Sequence, residues 1–173
     1  LRLRLMARLS AMLPVSWSTG LRMLKCKLPY YLNMNDLEKA VQLAVEAHAG
    51  DTDKAGATYI RHPLRLMQQM DTETERVVAV LHDVVEDTAY DLDDIEDEFG
   101  SEVREAVDGV TKRDDEAYED LIDRAAANPI ARAVKIADLV DNMDITRLDS
   151  VDEDLGERLA KYHRSWERLT AIE

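Results

Sequence analysis

Residues 77–85 read Val-Val-Ala-Val-Leu-His-Asp-Val-Val, a nearly unbroken apolar run with two ionisable side chains set inside it. Thr72 followed by Glu75 forms a capping box, in which hydroxyl and carboxylate satisfy backbone N–H groups at a helix start. The run is therefore predicted as a helix that is apolar on several sides, and such a helix must be surrounded by other elements. Its surroundings are predicted to be helical too. Asp36 is expected to cap a helix that places Leu37, Val41, Ala44, Val45 and His48 on one face before Gly50 ends it. Pro63 suits the first turn of a short helix running through Met70. Further helices are predicted over residues 92–99, 102–110, 116–126, 129–148 and 154–172. The last carries Leu155, Leu159, Tyr162, Trp166 and Leu169 as a packing stripe. Six Gly and one Phe in 173 residues leave too few turn and aromatic strand residues for an all-β fold. The expectation is an all-α single domain that buries roughly 70% of the surface its unfolded chain exposes.

Charge divides the chain. Residues 1–33 hold six basic side chains (Arg2, Arg4, Arg8, Arg22, Lys25 and Lys27) and no acid, so all 36 Asp and Glu follow residue 33. An Arg-rich, acid-free, Ser-containing segment has the composition of a targeting peptide, but Pro14, Gly20 and Pro29 cut its apolar stretches. We read residues 1–33 as a basic leader outside the fold, and the working domain as residues 34–173 with Met34 at its start. The formal net charge of −14 speaks against broad binding to nucleic-acid phosphates. No apolar run approaches the roughly 20 residues of a membrane-spanning helix. A lone Cys26 excludes a disulfide framework and a cysteine zinc site and suits a reducing compartment such as the cytoplasm. The oligomeric state is not written in the sequence.

Chemistry gathers at four places. His82-Asp83 sits within the apolar run, where ionisable groups are costly unless paired or metal-bound. Glu86-Asp87 follows at i+4, stacking two more acids beside that pair. His62 stands at a helix entrance, and Asp138 interrupts the apolar stretch 134–140 on the side marked by Val134, Ala137 and Asp141. A single histidine in an apolar helix is usually a hydrogen-bonded core residue, and a single aspartate usually pairs with an arginine. Two His and two Asp on core elements form a mixed N/O set that packing alone does not explain. Such a set suits a catalytic divalent metal with positions open to water; Mn²⁺, Fe²⁺, Zn²⁺ and Mg²⁺ all fit on chemistry alone.

The ordered motifs resemble a known family. They are His48-Ala-Gly with Lys54-Ala-Gly-Ala-Thr-Tyr59-Ile-Arg-His62-Pro63, then Leu81-His82-Asp83-Val-Val-Glu86-Asp87-Thr88, then Phe99-Gly100 with Val107-Asp108-Gly109-Val110-Thr111-Lys112, then Lys135-Ile-Ala-Asp138 with Asn142-Met143. Together, over roughly residues 36–166, they look like the hydrolase domain of RelA/SpoT proteins, and most like its stand-alone alarmone hydrolases, a branch of the HD superfamily. The resemblance implies an all-α HD-type helical bundle with one Mn²⁺ held by His62, His82, Asp83 and Asp138. It implies Glu86 and Asp87 as the acidic pair that positions and deprotonates water, Lys112 and Asn142 as contacts near the phosphates and ribose, and Lys54 as a substrate-binding residue, the surviving member of the family's basic pair. The substrate it implies is a ppGpp-like guanosine nucleotide with a 3′-diphosphate, giving pyrophosphate and GDP or GTP.

The chain also departs from that family. Asp51, Asp53 and Thr58 stand where the family usually has Gln, Arg and Pro, and that Arg commonly contacts the guanine. Asp53 is therefore expected to grip the purine less firmly. His48 reads as a framework residue and His163 as surface or packing. Two competing readings are an HD phosphohydrolase for another nucleotide or phosphoester, and a catalytically silent nucleotide-binding module. The intact Glu86-Asp87 pair counts against the second, because binding alone needs no water-activating dyad.

Overall fold

Reciprocal caps start the helices. Asn35, Thr72 and Asp91 each accept a hydrogen bond from the backbone three residues on, and Glu38, Glu75 and Asp94 return one to the cap. The first cap is Asn35, one residue before the predicted Asp36, because only Asn35 has an acid at the position that can reach back. The computed structural model describes residues 31, 33–53, 55–148, 150 and 152–172. Among them lie nine α-helices: α1 (Asp36–Ala47), α2 (Arg61–Met67), α3 (Glu73–Leu81), α4 (Val84–Asp87), α5 (Leu92–Phe99), α6 (Ser101–Val110), α7 (Tyr118–Ala127), α8 (Pro129–Met143) and α9 (Leu155–Thr170). The described residues form no strand beyond a single bridge between Thr52 and Thr58, and the fold is all-α. No helix among them is long and apolar enough to cross a membrane.

The apolar run takes the central place its sequence demands. Val77 to Leu81 are all buried, and α3 packs against α1, α2, α6 and α8. Burying a Val or Leu side chain contributes roughly 1.5–3 kcal/mol, so this one segment anchors the main core. α9 covers a second, smaller core in which Leu169 meets Ile122 of α7 and Leu139 of α8, with Tyr162 and Trp166 packed alongside. The packing stripe predicted for the last helix is thus in contact.

Three expectations change. The apolar helix does not continue to residue 85: it stops at Leu81, and α4 begins at Val84. His82 Nδ1 bonds back to the Ala79 carbonyl at 2.9 Å, which turns the ring inward at the break. α8 ends at Met143 rather than 148, because Asp144 caps a 3₁₀ turn, Ile145–Arg147. Val45, predicted on the buried face of α1, lies at the edge of that arc and is 48% exposed. The basic segment 1–30 lies outside the described residues. Tyr31, near its end, rests against α1 with the Lys39 ammonium 5.9 Å from its ring centre.

α6 crosses α8 closely at Gly109. A Cβ built there would stand 2.7 Å from Ala131 Cβ, far inside normal contact. Ala at this position gains helix propensity of up to about 1 kcal/mol, but overpacking a tight crossing costs about 1–3 kcal/mol. Gly109→Ala is therefore expected to lower the urea midpoint, with Gly109→Val worse. The double variant Gly109→Ala/Ala131→Gly should recover part of the loss, and equal midpoints for the two single-site forms and the parent would refute the close crossing.

Candidate active site

The helix break aims the histidines. His62, in the first turn of α2, and His82, at the end of α3, face each other with their Nε2 atoms 3.2 Å apart. Each ring holds its other nitrogen on an oxygen acceptor. His62 Nδ1 donates to Asp141 Oδ2 at 2.7 Å, and His82 Nδ1 donates to the Ala79 carbonyl. A carboxylate or carbonyl can only accept, so each Nδ1 carries a proton and both Nε2 atoms are turned into one space. Two ring nitrogens at that distance repel unless a single proton or a metal cation lies between them.

Carboxylates complete the surroundings. Asp83 Oδ2 is 2.9 Å from His82 Nε2, and Asp138 Oδ1 is 3.4 Å from His62 Nε2. One ligand atom each from His62, His82 and Asp83 fall within 4.8 Å of one another. The field favours positive charge. Burial works against a charged His62, yet hydrogen bonds and charge from Asp138 and Asp141, with Asp83 beyond, push its pKa up to about 9. Burial likewise opposes the Asp83 carboxylate, but His82 outweighs it and holds the group down at about 2. The donor chemistry therefore fits a divalent cation: two oriented imidazoles, two carboxylates, and ligand tautomers fixed from behind. The four residues singled out in the sequence as a mixed N/O set are brought together.

Glu86 and Asp87 stand on α4 at the rim, exposed. Glu86 Oε2 accepts the backbone N–H of Lys112 at 2.8 Å, which anchors it to the end of α6. Partial burial raises the pKa of both acids, and the charge of Asp83 raises them further. The Lys112 side chain is exposed. Asn142 donates through Nδ2 to the Asp138 carbonyl at 3.0 Å and to its carboxylate. Lys54 lies outside the described residues. Beside the cluster opens a cleft of about 420 Å³ lined by His48, Gly50, Asp51, Thr52, Tyr59 and Asp87. α1 ends at Ala47 with His48 as its cap, earlier than the predicted stop at Gly50, which lies in the following turn with φ of +97°, a conformation that favours glycine.

Several contributors were not assigned roles in the sequence. Tyr59 donates its hydroxyl to Asp83 Oδ2, while its ring lies 4.4 Å from that of buried His48, which supports a framework role for the histidine. Lys135 Nζ reaches Asp138 Oδ2 at 2.8 Å. Its charge outweighs the opposing burial of Asp138 and keeps that carboxyl well below the usual range. Asp141 backs His62. The signal for Lys135 and Asp141 was present, since both stand three residues from Asp138 on one helix. His163 is exposed, 3.5 Å from Glu167. Asp53 turns inward, accepting the N–H groups of Ala55 and Ala57 at 2.9 and 3.0 Å and facing Arg147 at 3.3 Å.

The HD domain family matches residues 40–135, a stretch that holds His62, His82, Asp83, Glu86 and Asp87. This chain belongs to the HD-domain family. Among curated proteins it is 35% identical over 128 residues to a probable GTP pyrophosphokinase of Mycobacterium leprae, covering 66% of this chain and 16% of the relative. It is 33% identical over 127 residues to a guanosine-3′,5′-bis(diphosphate) 3′-pyrophosphohydrolase of Aquifex aeolicus, covering 66% and 18%. Against the protein of that name from Haemophilus influenzae it is 34% identical over 134 residues, covering 69% and 20%. The chain thus spans a fifth or less of the length of these relatives. A solved structure, described as a metazoan ortholog of SpoT that hydrolyzes ppGpp, superposes with a TM-score of 0.69 at 22% identity, covering 81% of this chain and 88% of that one. It establishes the likeness of the HD fold.

Tyr59 ties the cleft loop to the HD aspartate, so its hydroxyl should count in stability. A hydrogen bond to a charged group contributes about 1.5–3 kcal/mol, and Asp83 keeps some solvent access. Tyr59→Phe is expected to cost about 1.5 kcal/mol in urea unfolding. An unchanged midpoint would remove this bond from the structure's supports.

Proposed function

We propose that this chain is a divalent-metal-dependent pyrophosphohydrolase that removes the 3′-diphosphate of ppGpp-like guanosine nucleotides. The observation that carries the reading is the approach of the His62 and His82 Nε2 atoms to 3.2 Å beside the Asp83 and Asp138 carboxylates, with the Glu86-Asp87 acid pair on the adjoining rim. The names of the curated relatives and of the structural neighbour support the substrate class. We assign His62, His82, Asp83 and Asp138 as metal ligands and Mn²⁺ as the metal, since mixed imidazole and carboxylate donors suit it. A divalent cation held there supplies a lowered pKa for water and neutralises charge on phosphoryl oxygens.

The chain's own residues do the rest. Glu86, held by the Lys112 N–H, orients the attacking water and takes its proton; Asp87, between cleft and rim, shares that task. Water adds to the phosphorus on the 3′ oxygen, the phosphorus–oxygen bond to the sugar breaks with its electron pair going to the 3′ oxygen, and that oxygen takes the proton held by Glu86 to become the 3′ hydroxyl of GDP or GTP as pyrophosphate is released. Lys54 and Lys112 are assigned to phosphates and Asn142 to the ribose. The unit that performs this is assigned to residues 34–173.

Asp53 favours a second reading, a different nucleotide. Its carboxylate is engaged within the loop and by Arg147, so it offers neither the stacking plane nor the donors of an arginine to a base. Mn²⁺-loaded protein tested against a nucleotide panel, with pyrophosphate and phosphate measured separately, decides between them. Pyrophosphate from ppGpp at high KM is the expected result, and turnover of another nucleotide alone would favour the second reading. Because Asp53 shapes the loop, Asp53→Arg is expected to unseat the cleft rather than restore a tight purine contact.

Two substitutions test the site. His82→Ala or Asp138→Ala should abolish stoichiometric Mn²⁺ binding and turnover while leaving the helical circular-dichroism signal. Retention of both metal and activity in Asp138→Ala would sink its assignment. Glu86→Gln should keep the ion and lose about 10² to 10⁴-fold in rate, the usual worth of general acid–base assistance. A parental rate would take Glu86 out of the mechanism, and loss of metal would make it a ligand.

A further inference from the structure

Asp141 is not among the four assigned ligands, yet it is buried and takes hydrogen bonds from three side chains. His62 Nδ1 donates to Oδ2 at 2.7 Å. Arg65 donates through Nε at 2.6 Å and Nη2 at 2.9 Å. Arg147, from the 3₁₀ turn, donates through Nη2 to Oδ2 at 3.1 Å and to the Asp141 carbonyl at 2.6 Å. The same two arginines extend to Asp53, whose Oδ2 lies 3.3 Å from Arg147 and 3.8 Å from Arg65. Asp53 in turn holds the cleft loop through the backbone of Ala55 and Ala57. One connected set of charges therefore runs from the back of an imidazole to the loop that walls the cleft.

We propose that Asp141, clamped by Arg65 and Arg147, is a positioning residue that fixes the His62 ring with Nε2 toward the metal centre, and that Asp53 ties the cleft loop into the same clamp. The inference rests on the metal-centre reading above. A lone carboxylate behind a histidine can rock about its side-chain torsions. A guanidinium fork on one side and a second arginine bonded to both its carboxylate and its carbonyl remove that freedom. The ring it holds then keeps its proton on Nδ1 and its lone pair in one direction. Partners of this kind behind a ligand are typically worth 10–100-fold in metal affinity or activity.

Charge alone makes the opposite forecast for one variant. Removing a cation near a divalent site should tighten metal binding, whereas loosening the clamp should weaken it. The test is calorimetric titration of the full chain with Mn²⁺, each variant's thermal midpoint recorded alongside. Asp141→Asn should weaken Mn²⁺ binding about 10- to 100-fold and Arg147→Met about tenfold, the lower end of that range. Asp53→Asn retains the loop-capping oxygen, drops the charge, and should weaken binding in the same direction. If Asp141→Asn fails to fold, Arg147→Met decides the matter, because it is the variant for which charge alone forecasts tighter binding. Tighter or unchanged binding in Arg147→Met overturns the clamp while leaving the metal centre standing. A parent chain that binds no Mn²⁺ overturns the metal reading, and the clamp's purpose with it.

Discussion

Two imidazole nitrogens 3.2 Å apart, each with its proton held on the far side of the ring, set the terms for the rest of this molecule. Neutral rings so arranged repel, and protonated rings would bring positive charge into a buried place. The surrounding residues answer that conflict with negative charge. Asp83, Asp138 and Asp141 all lie within 4.0 Å of His62, and His62 consequently holds a proton far above the ordinary histidine range. Carboxylates grouped this closely around two imidazole nitrogens favour a divalent cation by Coulomb attraction.

The helical scaffold follows from that requirement. At the break His82 Nδ1 bonds the Ala79 carbonyl at 2.9 Å. Breaking the helix at His82-Asp83 gives up regular geometry but retains the α4 turn, where Asp87 N still bonds the Asp83 carbonyl at 2.9 Å. The break is affordable because Val77 to Leu81 and Val84 are buried on either side of it. α8 supplies the other wall, with Lys135, Asp138, Asp141 and Asn142 on its inner side. There Lys135 balances an acid that would otherwise be isolated.

Much of this was legible from residue type and spacing. The Thr72–Glu75 capping box, the buried run and the packing stripe are local signals, and each appears as an element or a contact; the boxes at Asn35 and Asp91 were not read. The four-residue His/Asp set was legible because polar groups within apolar helices need a reason to be there. The break at residue 82 was not, since it arises from a side chain bonding its own backbone rather than from glycine or proline. Val45 failed because the apolar arc is wider in sequence than the neighbouring helices can cover. Lys135 pairs with Asp138 on its own helix, but Asp141 takes partners as distant as His62 and Arg65, a relation that spacing along one helix cannot express.

Asp53 shows how a single departure can be absorbed. An acid stands at a loop position where the family resemblance places a cation, and that alone would set negative charge beside an anionic nucleotide. In the fold Asp53 faces Arg65 from α2 and Arg147 from the 3₁₀ turn, while Asp141 faces the same pair. Two acids and two arginines sum to zero, so the group adds no long-range attraction for phosphate and no repulsion either. Its effect is mechanical: the loop and the histidine it lies near share one set of bonds. Under the proposed function, affinity for the nucleotide would then rest on the assigned metal ligands and on cations outside this group.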